Sequence, residues 1–287
     1  MYVGQQTSAD TVYLFKEYES IDSAKSRTYS KELGEWVEIE TDILRPVIRS
    51  GKIARYTATT TALILFPYEV INNNARLYTA KEMQTRFPLA WSYLKRNRRL
   101  LEDREKGKFK DDQWYRFGRS QNLGMWEQPK IMVPYMITNL AAYYDVSDNY
   151  YFINVTTGGY GITVDESEID YVYLCALLNS RLLDFYLKQV STNFRGGYMA
   201  ANKQYIEQLP IRTIDPTNPT DVAQHDHLVA LVQQMLDLHQ RHAAEGNPQM
   251  KTMLQRQIDA TDRQIDRLVY GLYGLTAEEV EVVEGMG

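Results

Sequence analysis

The sequence predicts an α+β protein in which a mixed-sheet domain over residues 1–212 precedes an antiparallel helical hairpin over residues 213–287. Three observations lead to this prediction. Short runs rich in β-branched and aromatic residues alternate with helical periodicities up to residue 211. Prolines and turn-forming residues then interrupt the chain at residues 215–220 (DPTNPT). Beyond them, apolar residues recur every three or four positions, as in long amphipathic helices.

Strands are predicted where β-branched and aromatic residues cluster, namely at residues 10–15, 36–39, 62–66, 129–134 and 150–155. Pro67 closes the third of these runs. Residues 158–161 (GGYG) are interpreted as a turn, because they do not lie between a strand and a helix as a cofactor loop would.

Helix starts are marked by caps. Thr79 and Glu82 have capping-box spacing, in which the threonine side chain and the glutamate each satisfy a free backbone N–H. Pro88 suits a first helical turn because its missing N–H is not needed there. We expect one helix from Pro88 to just before Gly107. Its apolar face comprises Phe87, Ala90, Trp91, Leu94 and Leu101.

The second half of the mixed region returns to helix over residues 169–187, with a break near Asn179 and Ser180. Residues 194–198 (FRGGY) read as a turn. The hairpin follows the linker at residues 215–220, and residues 246–248 (GNP) separate its two arms. The predicted seam is formed by Leu231, Met235, Leu238 and His242 on the first arm and by Leu254, Ile258, Thr261, Ile265, Leu268 and Leu272 on the second.

Composition narrows the class of protein. The 287 residues include one cysteine, which excludes a disulfide framework and a cysteine-rich zinc module. The first residues lack a signal-peptide pattern, and the longest apolar run, residues 62–66, is too short to cross a bilayer. These observations predict a soluble protein of a reducing cytoplasm. The 22 tyrosines suggest aromatic surface with polar tips, as found at interfaces.

The net charge of −5 is unevenly distributed along the chain. Residues 1–42 have a net charge of −5, residues 43–131 of +10 and residues 132–287 of −10. A segment of this positive charge favours a polyanionic partner such as nucleic acid. A solvated charged face is the alternative interpretation.

No catalytic machinery is visible. None of the lysines has Asp or Glu two positions before it, as a restriction-type nuclease site would, and no Pro-Pro pair occurs for an adenine-gripping motif. The histidines His225, His227, His239 and His242 lie close in sequence, but no further residues complete a metal site. Cys175 lies in an apolar helical run and is interpreted as a core residue. We therefore expect no enzyme activity, cofactor or metal in this chain.

Basic residues instead alternate with aromatic ones. Lys95 and Arg99 share one flank of the helix from Pro88, and Arg116 and Arg119 stand among the rings of residues 114–119 (WYRFGR). A guanidinium can bind phosphate oxygens or a guanine edge in bidentate fashion. The candidate DNA-binding residues are Arg45, Lys52, Arg55, Lys95, Arg99, Arg116, Arg119 and Lys130, with Arg195 and Lys203 as second choices.

Several short stretches occur together in an order that resembles a known family. They are residues 4–10 (GQQTSAD), 44–46 (LRP), 51–56 (GKIARY), 65–68 (LFPY), 114–115 (WY), 118–120 (GRS), 129–131 (PKI), 177–180 (LLNS), 196–198 (GGY) and 209–211 (LPI). The set resembles the C-terminal target-recognition, or specificity, domain of TaqI-type adenine-N6 DNA methyltransferases and of type IIG restriction–modification enzymes. The tail at residues 265–276 (IDRLVYGLYGLT) is similar to the helical segment that follows that domain.

The resemblance implies a module that binds duplex DNA for a phage-defence enzyme. In such enzymes an N-terminal domain binds S-adenosylmethionine and flips the adenine, and a Mg-dependent nuclease domain is sometimes attached. We expect this chain to be a piece of such a protein, and its partners to be double-stranded DNA and those missing domains.

Two other functions stay open at this point. The chain could be a protein-interaction scaffold in which Leu231, Met235, Ile258 and Ile265 face a partner instead of each other. It could also bind single-stranded RNA or DNA by aromatic stacking.

Overall fold

The structure is a computed structural model that describes residues 1–146, 150–154 and 158–285. The strands are β1 (Tyr2–Val3), β2 (Leu14–Phe15), β3 (Tyr18–Ser20), β4 (Lys25–Ser30), β5 (Glu35–Glu40), β6 (Leu44–Val47), β7 (Ile53–Ala54), β8 (Thr57–Ala58), β9 (Ala62–Leu65), β10 (Tyr68–Ile71), β11 (Asn74–Leu77), β12 (Lys130–Pro134), β13 (Met136–Ile137), β14 (Tyr143–Asp145), β15 (Gly159–Ile162) and β16 (Met199–Ala200).

The α-helices are α1 (Asp10–Tyr13), α2 (Ala80–Arg86), α3 (Pro88–Arg96), α4 (Arg98–Gly107), α5 (Tyr171–Leu178), α6 (Arg181–Val190), α7 (Lys203–Ile206), α8 (Pro219–Ala244), α9 (Pro248–Tyr273) and α10 (Ala277–Gly285). Several small sheets and a long C-terminal helical pair together confirm the predicted α+β class.

The largest sheet in the described residues has the order β1-β15-β12-β14, and its pairs are antiparallel. Its central strand β15 contains Gly159 and Gly161. A Cβ on Gly159 would lie 2.1 Å from the Val133 carbonyl oxygen, and one on Gly161 would lie 2.4 Å from the Tyr2 ring. The prediction of a turn at residues 158–161 is therefore wrong from residue 159 onward, because glycine here allows neighbouring strands and rings to approach closely.

The first hydrophobic core is formed by residues between 2 and 153 and is rich in aromatic rings. Trp126 stacks on Tyr151 with ring centroids 6.1 Å apart. The hydroxyl of buried Tyr13 donates to the Tyr115 carbonyl, and that of Tyr115 donates to the Tyr78 carbonyl. Many tyrosines are thus core residues with satisfied hydroxyls, instead of the interface residues that composition suggested.

The second core joins strands β12 and β13, helices α5 and α6, and the hairpin α8–α9. The predicted seam is packed inside it, since Leu231, Met235, Ile258 and Ile265 are at most 6% exposed. Leu268 packs against this core while partly buried. The hairpin therefore buries its apolar face against α5 as well as between its own arms.

Several local predictions are confirmed. Thr79 and Glu82 form a complete capping box, and Pro88 begins α3. The predicted strands at residues 36–39, 62–66 and 129–134 correspond to β5, β9 and β12. The break near Asn179 separates α5 from α6, and Cys175 is fully buried.

Other predictions are wrong, each for a local reason. Residues 10–15 are mostly helix α1. The Thr7 hydroxyl accepts from the Ala9 N–H and donates to the Asp10 carboxylate, and these bonds form a turn directly before the helix. The helix from Pro88 breaks at Asn97, whose side chain donates back to the Tyr93 carbonyl. The linker ends earlier than predicted, since Asn218 caps α8 and Pro219 occupies its first turn.

The run predicted as a strand at residues 150–155 forms only isolated bridges at Tyr151 and Ile153 within the described residues. Val155 lies outside the residues that the structure describes.

Candidate nucleic-acid interface

Two of the predicted DNA-binding cations, Arg45 and Arg55, are half-buried and form ion pairs that join elements of the fold. The Arg45 guanidinium lies 2.6 Å from Glu127, and its side chain is 22% exposed. Arg55 lies 3.0 Å from Asp262 of α9 and is 23% exposed. Both guanidinium groups are therefore engaged in joining elements of the fold.

Lys130 is a core residue, which corrects its assignment as a DNA contact. Its ammonium lies 2.6 Å from the Asp145 carboxylate across strands β12 and β14, and neither side chain has exposed surface. The ammonium also donates to the Trp126 carbonyl at 2.7 Å. A side chain without accessible surface has no path to a phosphate, so Lys130 is removed from the interface.

Lys95 and Arg99 are solvent-exposed on α3 and α4. Within the residues that the structure describes, neither has a carboxylate at ion-pair distance, whereas Arg96 pairs with Glu35 and Arg98 with Glu102. The two cations are thus free to meet an anion. We call them the helix pair.

Arg116 and Arg119 lie on the loop after α4 and are paired with acidic neighbours. Arg116 lies 2.6 Å from Asp111, and Arg119 lies 2.6 Å from Glu105. The hydrogen bond from Arg119 holds the pKa of the Glu105 carboxyl below its ordinary value, and that from Arg116 does the same for Asp111. Surface pairs of this kind are weak, so a phosphate could replace either carboxylate.

The loop is positioned by Arg104, a residue that sequence reasoning missed. Its guanidinium donates to the carbonyls of Thr7, Leu101, Trp114 and Arg116 at 2.7 to 2.9 Å. It also lies over the Phe109 ring at 4.0 Å, and burial lowers its pKa. Arg104 sits inside a run of charged residues, and that sequence pattern gives no sign that this one side chain points inward.

Lys52, Arg195 and Lys203 are brought together by neighbouring elements. The short turn Ser50–Lys52 packs against β13, which pairs with β16, and Lys203 begins α7 just beyond that strand. All three side chains are exposed. Lys203 makes an open ion pair with Glu207 at 3.4 Å. A first-choice residue and both second choices thus lie on adjacent elements, and we call them the turn group.

A further basic cavity of about 390 Å³ lies between α1, β2, β4 and the end of β6. Lys16, Lys31 and Arg49 line it, together with the acidic residues Asp10 and Glu17. None of these three cations is among the candidates selected from the sequence, and both lysines lie in the acidic N-terminal segment. The three cations come together only in the folded chain, and charge counted along the sequence does not reveal this proximity.

Several features of the described residues bear on catalysis and on metal or cofactor binding. Among the described residues, no three His, Cys, Asp or Glu side chains converge as metal ligands. Burial raises the pKa of the Cys175 thiol to about 12, which makes it a poor nucleophile. Gly159 and Gly161 of β15 pack closely against Val133 and Tyr2. No helix in the described ranges is long and apolar enough to span a membrane.

Comparison with known proteins gives the family. The chain is 25% identical to the type II restriction enzyme and methyltransferase RM.Eco57I of Escherichia coli, over 97% of this chain and 29% of that protein. It is 20% identical to the type II methyltransferase M.BstVI of Geobacillus stearothermophilus, over 98% of this chain and 40% of that protein. The chain thus spans less than half the length of these relatives.

The family model described as the TaqI-like C-terminal specificity domain matches residues 45–211. The match covers β6 to the end of the mixed region, including both the helix pair and the turn group. The resemblance seen in the short sequence motifs is thereby confirmed, and the chain belongs to the family of TaqI-like C-terminal specificity domains.

Proposed function

We propose that this chain is the DNA-reading module of a type II restriction–modification enzyme and binds duplex DNA in a sequence-specific manner. The observation that carries the proposal is its membership of a family of specificity domains, with relatives named as type II restriction and methyltransferase enzymes. Exposed cations on several elements support it, because phosphate neutralisation supplies much of the affinity of DNA-binding proteins.

The proposed footprint follows from accessibility. It comprises the helix pair (Lys95, Arg99), the turn group (Lys52, Arg195, Lys203), the exposed Arg119 and the half-buried Arg116, the last two paired with carboxylates that are themselves on the surface. Arg45 and Arg55 contribute by holding β6 and the loop at residue 55 in place, through Glu127 and Asp262. Base edges are read by a subset of these groups, and phosphates are bound by the others.

The chain itself is proposed to be non-catalytic. The parent protein would be a site-specific adenine methyltransferase of the bacterial or archaeal cytoplasm, with S-adenosylmethionine, and Mg²⁺ if a nuclease is attached, bound by domains outside this chain. The role of this chain would be to position those domains on the correct sequence, since catalysis depends on exact placement of the reacting groups.

The scaffold alternative is disfavoured by one observation. The residues that would have to face a partner, Leu231, Met235, Ile258 and Ile265, are buried in the second core. Exposing them would cost about 1.5–3 kcal/mol for each side chain. A hairpin that binds a partner through this seam would first have to unpack from α5.

The experiment is a binding selection with the full chain against random-sequence duplex DNA, at low and at higher salt. Enrichment of one short motif, with affinity falling as salt rises, is the expected result. Salt-sensitive binding without a motif would assign specificity to the missing domains. Preference for single strands would favour the stacking alternative, and no binding at low salt would reject the proposal.

A further inference from the structure

The turn at residues 194–198 (FRGGY), here called the aromatic turn, exposes two rings in a protein that buries most of its aromatic residues. Phe194 is 41% exposed and Tyr198 is 44% exposed. All eight phenylalanines lie in the described ranges, and the other seven are buried or half-buried. Two exposed rings on one five-residue turn form a local apolar patch, and exposed apolar patches are a feature of interaction sites.

The base of the aromatic turn is held in one conformation. Asn193 pairs with Met199 in an antiparallel bridge, and the Phe194 N–H donates to the Tyr198 carbonyl at 2.7 Å. Below it, Ser191 Oγ donates to the Ala200 carbonyl at 2.6 Å. Both rings are therefore carried on an ordered ribbon, which lowers the entropy lost when they bind.

The tip of the turn is made of backbone with few neighbours. Gly196 and Gly197 have φ values of +83° and +76°, a region that favours glycine. Around Gly197 no other atom would lie within 4 Å of an added Cβ. The positive φ values account for glycine at both positions, and the open space around Gly197 leaves the tip accessible to a ligand.

The surroundings of the turn are positively charged. Arg195 is exposed, with no carboxylate at ion-pair distance among the described residues, and Lys52 and Lys203 lie on neighbouring elements. Exposed rings on the same turn as an unpaired arginine match the chemistry of nucleic acid, which offers flat bases next to phosphates. An apolar protein partner would not need the cations.

We propose that the aromatic turn inserts at a base step of the bound duplex, with Phe194 and Tyr198 stacked on bases and Arg195 on an adjacent phosphate. The inference rests on the proposed function and deepens it by assigning a base-stacking element. Side chains that enter between base pairs unstack them and bend the duplex. The ordered ribbon and the bare glycine tip provide a narrow element of this kind.

The test measures the affinity of the full chain for a random-sequence duplex pool, across a range of salt concentrations. The double variant F194A/Y198A is expected to bind about 5- to 150-fold more weakly, with an unchanged salt dependence, because stacking releases no counterions. F194W should bind like the wild type, and F194L should be weakened, because leucine is apolar but cannot stack. R195Q should lower the salt slope by about one.

Y18A is the matched control, since Tyr18 is also exposed, at 37%, on strand β3 far along the chain from the turn. Its affinity should be unchanged. The inference is overturned if the double variant binds like the wild type, or if F194L binds as well as F194W. If the wild-type chain does not bind duplex DNA at all, the proposed function fails and this inference fails with it. Equal unfolding midpoints would show that each variant is folded.

Discussion

The guanidinium of Arg104 donates to the carbonyl of Thr7 at 2.8 Å, across 97 positions of sequence. The same group holds the carbonyls of Trp114 and Arg116, so it ties the N-terminal segment to the loop that carries Arg116 and Arg119. The Gly118 N–H reinforces this link by donating to the same Thr7 carbonyl at 3.0 Å. One buried cation thus fixes the position of the half-buried Arg116 and the exposed Arg119.

Replacing Arg104 with lysine should lower the free energy of unfolding by about 2–4 kcal/mol, because one ammonium cannot satisfy four carbonyls in this geometry. Urea denaturation measures the loss. The matched change R99K, on the exposed face of α4, should stay within about 0.5 kcal/mol of the wild type. An R104K variant as stable as R99K would show that the four hydrogen bonds do not hold the loop.

Removal of the buried charge at Lys130 should be equally costly. K130M leaves Asp145 without its ammonium partner inside the core, and breaking a buried pair in this way costs about 3–5 kcal/mol. Thermal and urea unfolding would detect the loss. K95M, which removes an exposed lysine, serves as control, and a K130M protein of wild-type stability would contradict the role given to the pair.

The buried carboxyl of Asp266 should make the free energy of unfolding decrease as the pH rises. Burial raises its pKa to about 6, although the Arg181 N–H, at 2.8 Å, acts in the opposite direction. Between the ordinary pKa of 3.8 and about 6, the folded protein keeps a proton that the unfolded chain has lost. Its contribution to the free energy of unfolding is therefore full below pH 4 and is lost as the pH rises through 6, by about 3 kcal/mol.

The difference in unfolding free energy between the wild type and D266N isolates this effect. Asparagine still accepts a hydrogen bond from the Arg181 N–H but does not titrate. The wild type should lose stability relative to D266N from pH 4 to pH 6.5 and then level off. A difference that is constant with pH, or that grows in favour of the wild type, would rule out the raised pKa.

The helix pair should determine part of the salt dependence of DNA binding. If Lys95 and Arg99 each neutralise one phosphate, K95Q/R99Q should reduce the slope of log K against log salt by about two. K25Q/R27Q removes the same charge from the exposed sheet of β4, where both residues face glutamates. If both double variants lowered the slope equally, net charge and not the helix pair would be responsible.

Local signals predicted much of the fold. The capping box at Thr79, the proline at position 88 and the apolar stripe from Phe87 to Leu101 depend on residues a few positions apart, and these predictions are confirmed. The break at Asn97 was missed because a side chain competing for a backbone carbonyl does not disturb the hydrophobic period.

The candidate site was harder to predict, because exposure depends on distant partners. Lys130 and Lys52 look equally basic in the sequence, yet a carboxylate from β14 is buried with one of them and the other is exposed. Arg104 is likewise buried, because its guanidinium donates to the carbonyl of Thr7, which is distant in the sequence. Charge counted along a sequence finds a basic segment, but folding decides which of its cations can reach a ligand.

The core shared by the hairpin and α5 has a consequence for exchanging specificity between enzymes. A chimera joined near residue 212 would separate Leu231 and Ile265 from the strands and helices they pack against, and would break the Arg55–Asp262 pair. The recipient would then carry the recognition surface without the hairpin that completes the second core beneath it. The transplantable unit therefore extends through α9, and recombination that respects this limit should yield folded hybrids.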